Sequence, residues 1–264
     1  MSPTPSTPTP FALADTLAAL PGFTAEGGTR NVGRRDGLGT VMLAAYERLG
    51  RLPDVYVQPI GSGAGAIAAH EAALRLRRAD GGSSRPLPRL VVAQNSAFAP
   101  VHTAWHTGTR PWTCTDAGPD AIHRAFAPEL TNRRPPYETS GGLAAALRES
   151  RGDVLTADAD EARTAMAAFA ESEGVDIEPP AGVALAALRT AVRQGRIDPA
   201  ATVPLNITGG GRAWYAAERR LEANVPDLVV PRGATDSPQA VAEIAAAVTS
   251  AVPHHPQHVA LARS

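Results

Sequence analysis

The sequence contains no lysine: all 25 of its basic residues are arginine. Within these 264 residues, every chemistry that needs an amine side chain is excluded, from a Schiff base to the lysine of a nucleotide-binding P-loop. A single cysteine, Cys114, rules out an internal disulfide framework and a cysteine-built zinc cluster, and it predicts an intracellular, cytoplasmic setting. Aromatic residues are only 5% of the chain while hydrophobic residues are 44%, so Ala, Val, Leu and Ile must build the core. No apolar run nears the roughly 20 residues of a membrane span, and residues 1–10 lack the basic and apolar regions of a signal peptide. The formal charge of −1 supplies no field for nucleic acid or an anionic membrane surface, so neither is expected as a partner.

What the chain has is glycine and proline, 24 of each, punctuating apolar segments. Residues 1–10, with four prolines among Ser and Thr, predict a disordered leader, and residues 253–264, with His254, His255 and His258, a disordered tail. Between them, 11–252 reads as one α/β domain. Strands are expected at 54–60, 89–94, 153–156, 174–178, 202–208 and 227–231. Helices are expected at 11–20, 41–49, 66–78, 97–108, 121–126, 143–149, 158–172, 183–194 and 238–252. Regular alternation of this kind predicts a mostly parallel sheet with flanking helices, whose ligands bind beyond the carboxyl ends of the strands.

The informative stretch is Gln58–Ala72. A strand runs into Gly61-Ser62-Gly63-Ala64-Gly65 and then into a helix. Glycines at alternate positions let the backbone approach an oxyanion, the helix presents free N–H groups, and Ser62 adds a hydroxyl. The third glycine and the acidic residue of a dinucleotide fingerprint are not convincingly placed. Residues 26–40 form a second polar, glycine-rich stretch in which arginines alternate with Gly, Asn and Thr; it reads as an anion-binding loop or a solvated basic loop. His102 and His106 stand at i and i+4 but lack a third metal ligand nearby and read as a surface pair, and Cys114 as an inert thiol. By residue types alone, the chain is an α/β domain that binds a phosphorylated small molecule.

Several segments together resemble the fold type II pyridoxal-phosphate enzymes, in the cysteate synthase and threonine synthase branch. They are EGGTRNVGRRDGLGT (26–40), QPIGSGAGAIAAHEA (58–72), LPRLVVAQNSAFAPV (87–101), VDIEPPAGVALAAL (175–188) and PLNITGGG (204–211). The resemblance implies the large-domain portion of the tryptophan synthase β-like fold, with pyridoxal 5'-phosphate as cofactor. Gly61, Ser62, Gly63, Ala64 and Gly65 would hold the cofactor phosphate and Thr208 would meet the pyridine nitrogen. Arg34, with Thr29 beside it, would bind the phosphate of a phosphorylated amino-acid substrate. In such enzymes the Schiff-base lysine comes earlier in the chain, from a smaller domain, and no residue here can replace it. The resemblance therefore implies one half of a split enzyme for β-replacement or elimination, inactive alone and paired as a heterodimer or higher heteromer with a lysine-bearing small-domain polypeptide. A non-catalytic cofactor- or ligand-binding regulatory protein, or a truncated gene product, are the alternatives.

Overall fold

The computed structural model describes residues 10–82, 86–110, 119–132, 135–219, 225–226, 229–230 and 238–251. The expected leader, Cys114 and the histidine tail lie outside them, as does most of the strand expected at 227–231. The described chain divides into two compact units. The smaller contains helix α1 (Pro10–Ala18) packed on the last helix, Pro238–Ala251. The larger, residues 27–220, holds the sheet and all the candidate site residues.

Three strands form that sheet in the order β1 (Val55–Pro59), β2 (Arg89–Asn95), β3 (Asp153–Ala157), all parallel. Val57 stands opposite Val91, and Ala93 opposite Leu155. The strands read as nearly unbroken apolar runs because helices cover both faces. On one face α2 (Val32–Leu49), α3 (Ala64–Ala79), α4 (Pro100–Thr107) and, after the short α5 (Pro119–His123), α6 (Leu143–Glu149) bury Met42, Ile67, Val101 and Leu147 against Tyr56, Leu90 and Val154. On the other, α7 (Ala159–Glu173) and α8 (Pro179–Arg193) bury Ala162, Ala165, Val183 and Ala187 against Val57, Val91 and Leu155. After α8 come α9 (Arg212–Glu218) and α10 (Pro238–Ala251).

The scarcity of aromatics finds its explanation in these helix contacts. Small residues let the helix axes approach: a Cβ on Gly39 of α2 would sit 3.3 Å from the Ala68 carbonyl oxygen of α3, and one on Gly182 of α8 only 2.8 Å from Met166 Sδ of α7. Local signals set the helix starts. Pro100 and Pro179 begin α4 and α8 at the position where a missing N–H costs nothing. Asp158 and Glu161 make a reciprocal capping box on α7.

Three expectations need correction. Residues 26–40 are not one loop. A 3₁₀ turn at Gly28–Arg30 is followed at once by α2, because Asn31 Oδ1 accepts the Arg34 N–H at 3.0 Å and caps the helix nine residues before the expected start at 41. Residues 174–178 form no strand; Ile177 makes only an isolated antiparallel bridge to Gly210. Residues 202–208 form no full strand either. They make one parallel bridge, Val57 with Leu205, supported by hydrogen bonds from Val57 N–H to the Pro204 carbonyl and from Asn206 N–H to the Val57 carbonyl. Pro204, which has no N–H, is tolerated along this outer edge of β1.

Candidate functional site

At the carboxyl end of β1 the chain enters the turn Gly61–Gly63 and then α3. Gly63 is the N-cap with φ +82°, and no side chain caps the helix. The N–H groups of Ser62, Gly63, Gly65 and Ala66 donate no hydrogen bond among the described residues, and Ala64 N–H only approaches Ser62 Oγ at 3.4 Å. Four unsatisfied donors at the positive end of a 16-residue helix make a ready anion site.

The glycines are required here by neighbours as well as by conformation. A Cβ on Gly63 would lie 2.8 Å from the Leu143 side chain. One on Gly61 would lie 3.2 Å from the Glu129 carbonyl oxygen. One on Gly65 would overlap Gln58 Nε2 and stand 3.0 Å from that residue's Cδ and Oε1. Gln58 is itself fixed: its Oε1 accepts from Tyr56 Oη at 3.0 Å and from Asn206 Nδ2 at 3.2 Å. Burial pushes the Tyr56 phenol well above its ordinary pKa, so it stays a donor throughout the working pH range. Gln58 thus ties the turn, β1 and the 202–206 edge into one unit.

A second carboxamide does the same at β2. Asn95 Nδ2 donates to the Ala127 carbonyl and Asn95 Oδ1 accepts the Ala127 N–H, both at 2.9 Å. This holds the short 3₁₀ turn Pro128–Leu130 over Gly61. Thr208 follows the 202–206 edge, exposed and making no hydrogen bond among the described residues. Beyond it, Gly209 packs on Glu178, whose N–H donates to the Gly209 carbonyl at 2.9 Å.

Beside the first turn of α3 lies a cavity of about 320 Å³ whose walls include Thr29, Arg30, Arg35, Ile67, Ser140 and Gly142. Leu143, next to Gly142, is the residue that abuts Gly63, so cavity and glycine turn adjoin. Thr29 lines the cavity; Arg34 does not, and its side chain is exposed. The arginine that reaches inward is Arg35. Its Nε donates to Glu71 Oε2 at 2.9 Å, its Nη2 pairs with Glu71 Oε1, and further donors reach the Thr29 and Gly141 carbonyls. The sequence could not separate Arg30, Arg34 and Arg35, because only the start of α2 at Val32 fixes which of them turns toward the cavity.

The histidine pair falls away from this end. His106 Nε2 meets the Val154 carbonyl at 2.9 Å near the start of β3, and burial together with neighbouring His106 holds His102 below its ordinary pKa. Among the described residues no group of three His, Cys, Asp or Glu could hold a metal ion, and no helix is long and apolar enough to cross a membrane.

The family pattern described as pyridoxal-phosphate dependent enzyme matches residues 4–209. The cysteate synthase of Methanoregula boonei is 47% identical over 223 residues, covering 83% of this chain and 52% of that protein. That of Methanosarcina acetivorans is 44% identical over 221 residues, covering 83% and 53%. The chain spans about half the length of these curated relatives. Among solved structures, an L-serine ammonia-lyase from Rhizomucor miehei superposes with a TM-score of 0.51 at 18% identity, covering 70% of this chain and 55% of that one, which shows a shared fold.

Proposed function

We propose a function from one premise: the chain belongs to the pyridoxal-phosphate-dependent enzymes, the family matched over residues 4–209, whose cofactor is pyridoxal phosphate. In our reading it is the cofactor- and substrate-holding part of an enzyme for β-replacement or elimination on an activated, O-phosphorylated amino acid. The Schiff-base lysine, which these 264 residues lack, is supplied by a lysine-bearing polypeptide of the same family.

The observation that carries the reading is the glycine turn. Its free N–H groups, and the three positions where a Cβ would meet Leu143, Glu129 or Gln58, fit a phosphate held by backbone rather than by lysine. Gly61 to Gly65 would hold the cofactor phosphate, with the Ser62 hydroxyl as an added donor. Thr208 would face the ring nitrogen. When bound, the cofactor supplies an electron sink for carbanion chemistry. The hydroxyl of Thr208 does not hold the ring nitrogen protonated as a carboxylate would, which favours β-replacement and elimination over transamination. Gln58 and Asn95 keep the floor of the turn rigid, and the cavity beside Ile67 receives the part of the substrate that leaves or is exchanged.

The test is reconstitution. The lysine-bearing half of a cysteate synthase, produced separately, is mixed with this chain and pyridoxal phosphate. The expected result is co-elution of the two polypeptides and the long-wavelength absorbance of lysine-bound cofactor, lost when that lysine is replaced by alanine. Absence of both co-elution and absorbance, with cofactor still bound to this chain alone, would leave a non-catalytic binding protein in place of our reading.

A further inference from the structure

We propose that Asp176 is the positioning residue for Thr208: it locks the turn Gly209–Gly211 onto residues 176–178 and thereby sets where the Thr208 hydroxyl stands at the carboxyl end of the sheet. That this hydroxyl meets the ring nitrogen of the cofactor rests on the proposed function; the locking rests on the contacts around Asp176.

Thr208 has little support of its own. On its amino side the last tie to the sheet is Asn206, whose N–H donates to the Val57 carbonyl at 2.9 Å. Ile207 and Thr208 make no backbone hydrogen bond among the described residues. On the carboxyl side the chain is caught at once by residues 176–178. Glu178 N–H donates to the Gly209 carbonyl at 2.9 Å, and Gly211 N–H donates to the Asp176 carbonyl at 2.8 Å. The hydroxyl is thus carried on a short span between one anchor on β1 and another on this seam.

Asp176 holds the seam twice. Its carbonyl takes the Gly211 N–H, and its carboxylate reaches past the turn to the start of α9. There Oδ2 accepts the Arg212 N–H at 3.0 Å, and the two oxygens share the Ala213 N–H at 3.1 and 3.2 Å. Gly211, the N-cap of α9, has no side chain for this, so Asp176, 36 positions before Arg212, does the capping. The Ala213 N–H foremost holds this carboxyl below its ordinary pKa, the effect of peptide donors fixed on the charged form. Three glycines close the seam. A Cβ on Gly209 would lie 2.8 Å from Glu178 Cγ, one on Gly210 would lie 2.5 Å from the Asp176 carbonyl oxygen, and Gly211 has φ +75°.

The platform beneath the seam is rigid. Glu178 is the N-cap of α8, Ile177 is buried, and Ala181, Val183 and Ala184 of α8 are fully buried. Asp176 passes that rigidity to the turn. A neighbouring ion pair, Arg212 Nε to Glu178 Oε1 at 3.3 Å, spans the same seam, but its guanidinium is 82% exposed and salt screens it. Losing Asp176 frees the turn and the start of α9 and lets the Thr208 hydroxyl wander. The glycine turn at Gly61–Gly65, packed on Gln58, stays as it was.

The experiment titrates pyridoxal phosphate into the full chain and follows bound cofactor by absorbance. Asp176→Ala and Thr208→Val should each weaken binding by about three- to tenfold, the scale of one hydrogen bond. Combined, they should weaken it by no more than about twofold beyond Thr208→Val alone, because a displaced Thr208 has nothing further to lose. The losses of Asp176→Ala and Ser62→Ala should multiply, since Ser62 serves the phosphate end. Asp176→Asn, which keeps a carbonyl oxygen for the two N–H groups, should recover most of the affinity. A general loosening of the fold would give neither the coupling with Thr208 nor the independence from Ser62. Unchanged affinity in Asp176→Ala, or a loss that multiplies with that of Thr208→Val, overturns the assignment. Should Asp176→Ala not fold, Asp176→Glu, which keeps the charge but displaces it, is read in the same way. Should the parent fail to bind pyridoxal phosphate at all, the functional reading fails separately, and amide hydrogen exchange decides the positioning claim. Asp176→Ala should then speed exchange at Gly211, Arg212 and Ala213 while Asn206 keeps its protection; equal protection in variant and parent overturns the claim.

Discussion

Replacing Gly65 with alanine puts the strongest demand on the account of the glycine turn. In a free helix the change would stabilise by about 1 kcal/mol, because alanine is the better helix former. Here the new Cβ overlaps Gln58 Nε2, and Gln58 has nowhere to go: it is 7% exposed and held by Tyr56 Oη at 3.0 Å and Asn206 Nδ2 at 3.2 Å. Moving it gives up two hydrogen bonds at about 1 kcal/mol each and adds an overpacking cost of about 1–3 kcal/mol. Against the helical gain, a net loss of about 2–4 kcal/mol follows. Urea unfolding measures it, with Gly37→Ala in α2 as the control, since a Cβ there meets nothing within 4 Å and only the helical gain should appear. Introduced after Gln58→Ala, the same Gly65→Ala change should cost far less, because its obstacle is gone. A loss below about 1 kcal/mol for Gly65→Ala, or equal losses in both backgrounds, would refute the reasoning.

Two further expectations concern the frame of the site. Asn31→Ala removes the cap that starts α2 and should lower stability by about 1 kcal/mol in thermal unfolding, whereas Asn31→Asp should retain most of it. Asp54 is held below its ordinary pKa, first by the Thr202 N–H at 2.8 Å and then by Arg51. A depressed carboxyl contributes stability that is complete above its ordinary value and is lost as pH falls through the depressed one. Docking of the 202–206 edge should therefore be constant at neutral pH and loosen only in acid. Asp54→Asn should abolish that acid-range dependence, read from the amide shifts of residues 202–206, and its persistence in the variant would place the titrating group elsewhere.

Much of this was legible in the sequence, for identifiable reasons. The three sheet strands could be placed because apolar runs such as Leu90–Ala93 are buried on both faces, and α3 because a glycine turn announces it. The two edge segments were overcalled because composition cannot tell a full ladder from a single bridge. That difference depends on what lies alongside, as with Leu205 against Val57. The start of α2 was hidden by its own glycines. Gly33, Gly37 and Gly39 read as loop residues, yet Gly39 is there so that α2 can lie close to α3. The later start expected for α2 left the helical phase of Arg34 and Arg35 open. Arg34 stands in the matching motif, while Arg30 and Arg35 stand at the cavity.

The carboxamides of Gln58 and Asn95 carry one more implication. Both struts of the binding end are electrically neutral and neither gains nor loses a proton in water, so neither strut answers to acidity or ionic strength. Such a scaffold contributes no charge of its own to compete with a ligand. The potential an incoming anion feels is set by peptide dipoles at α3 and by the guanidinium groups of Arg30 and Arg35 that line the cavity. Salt should therefore tune how tightly the site holds its guest without loosening the two carboxamide struts behind the turn.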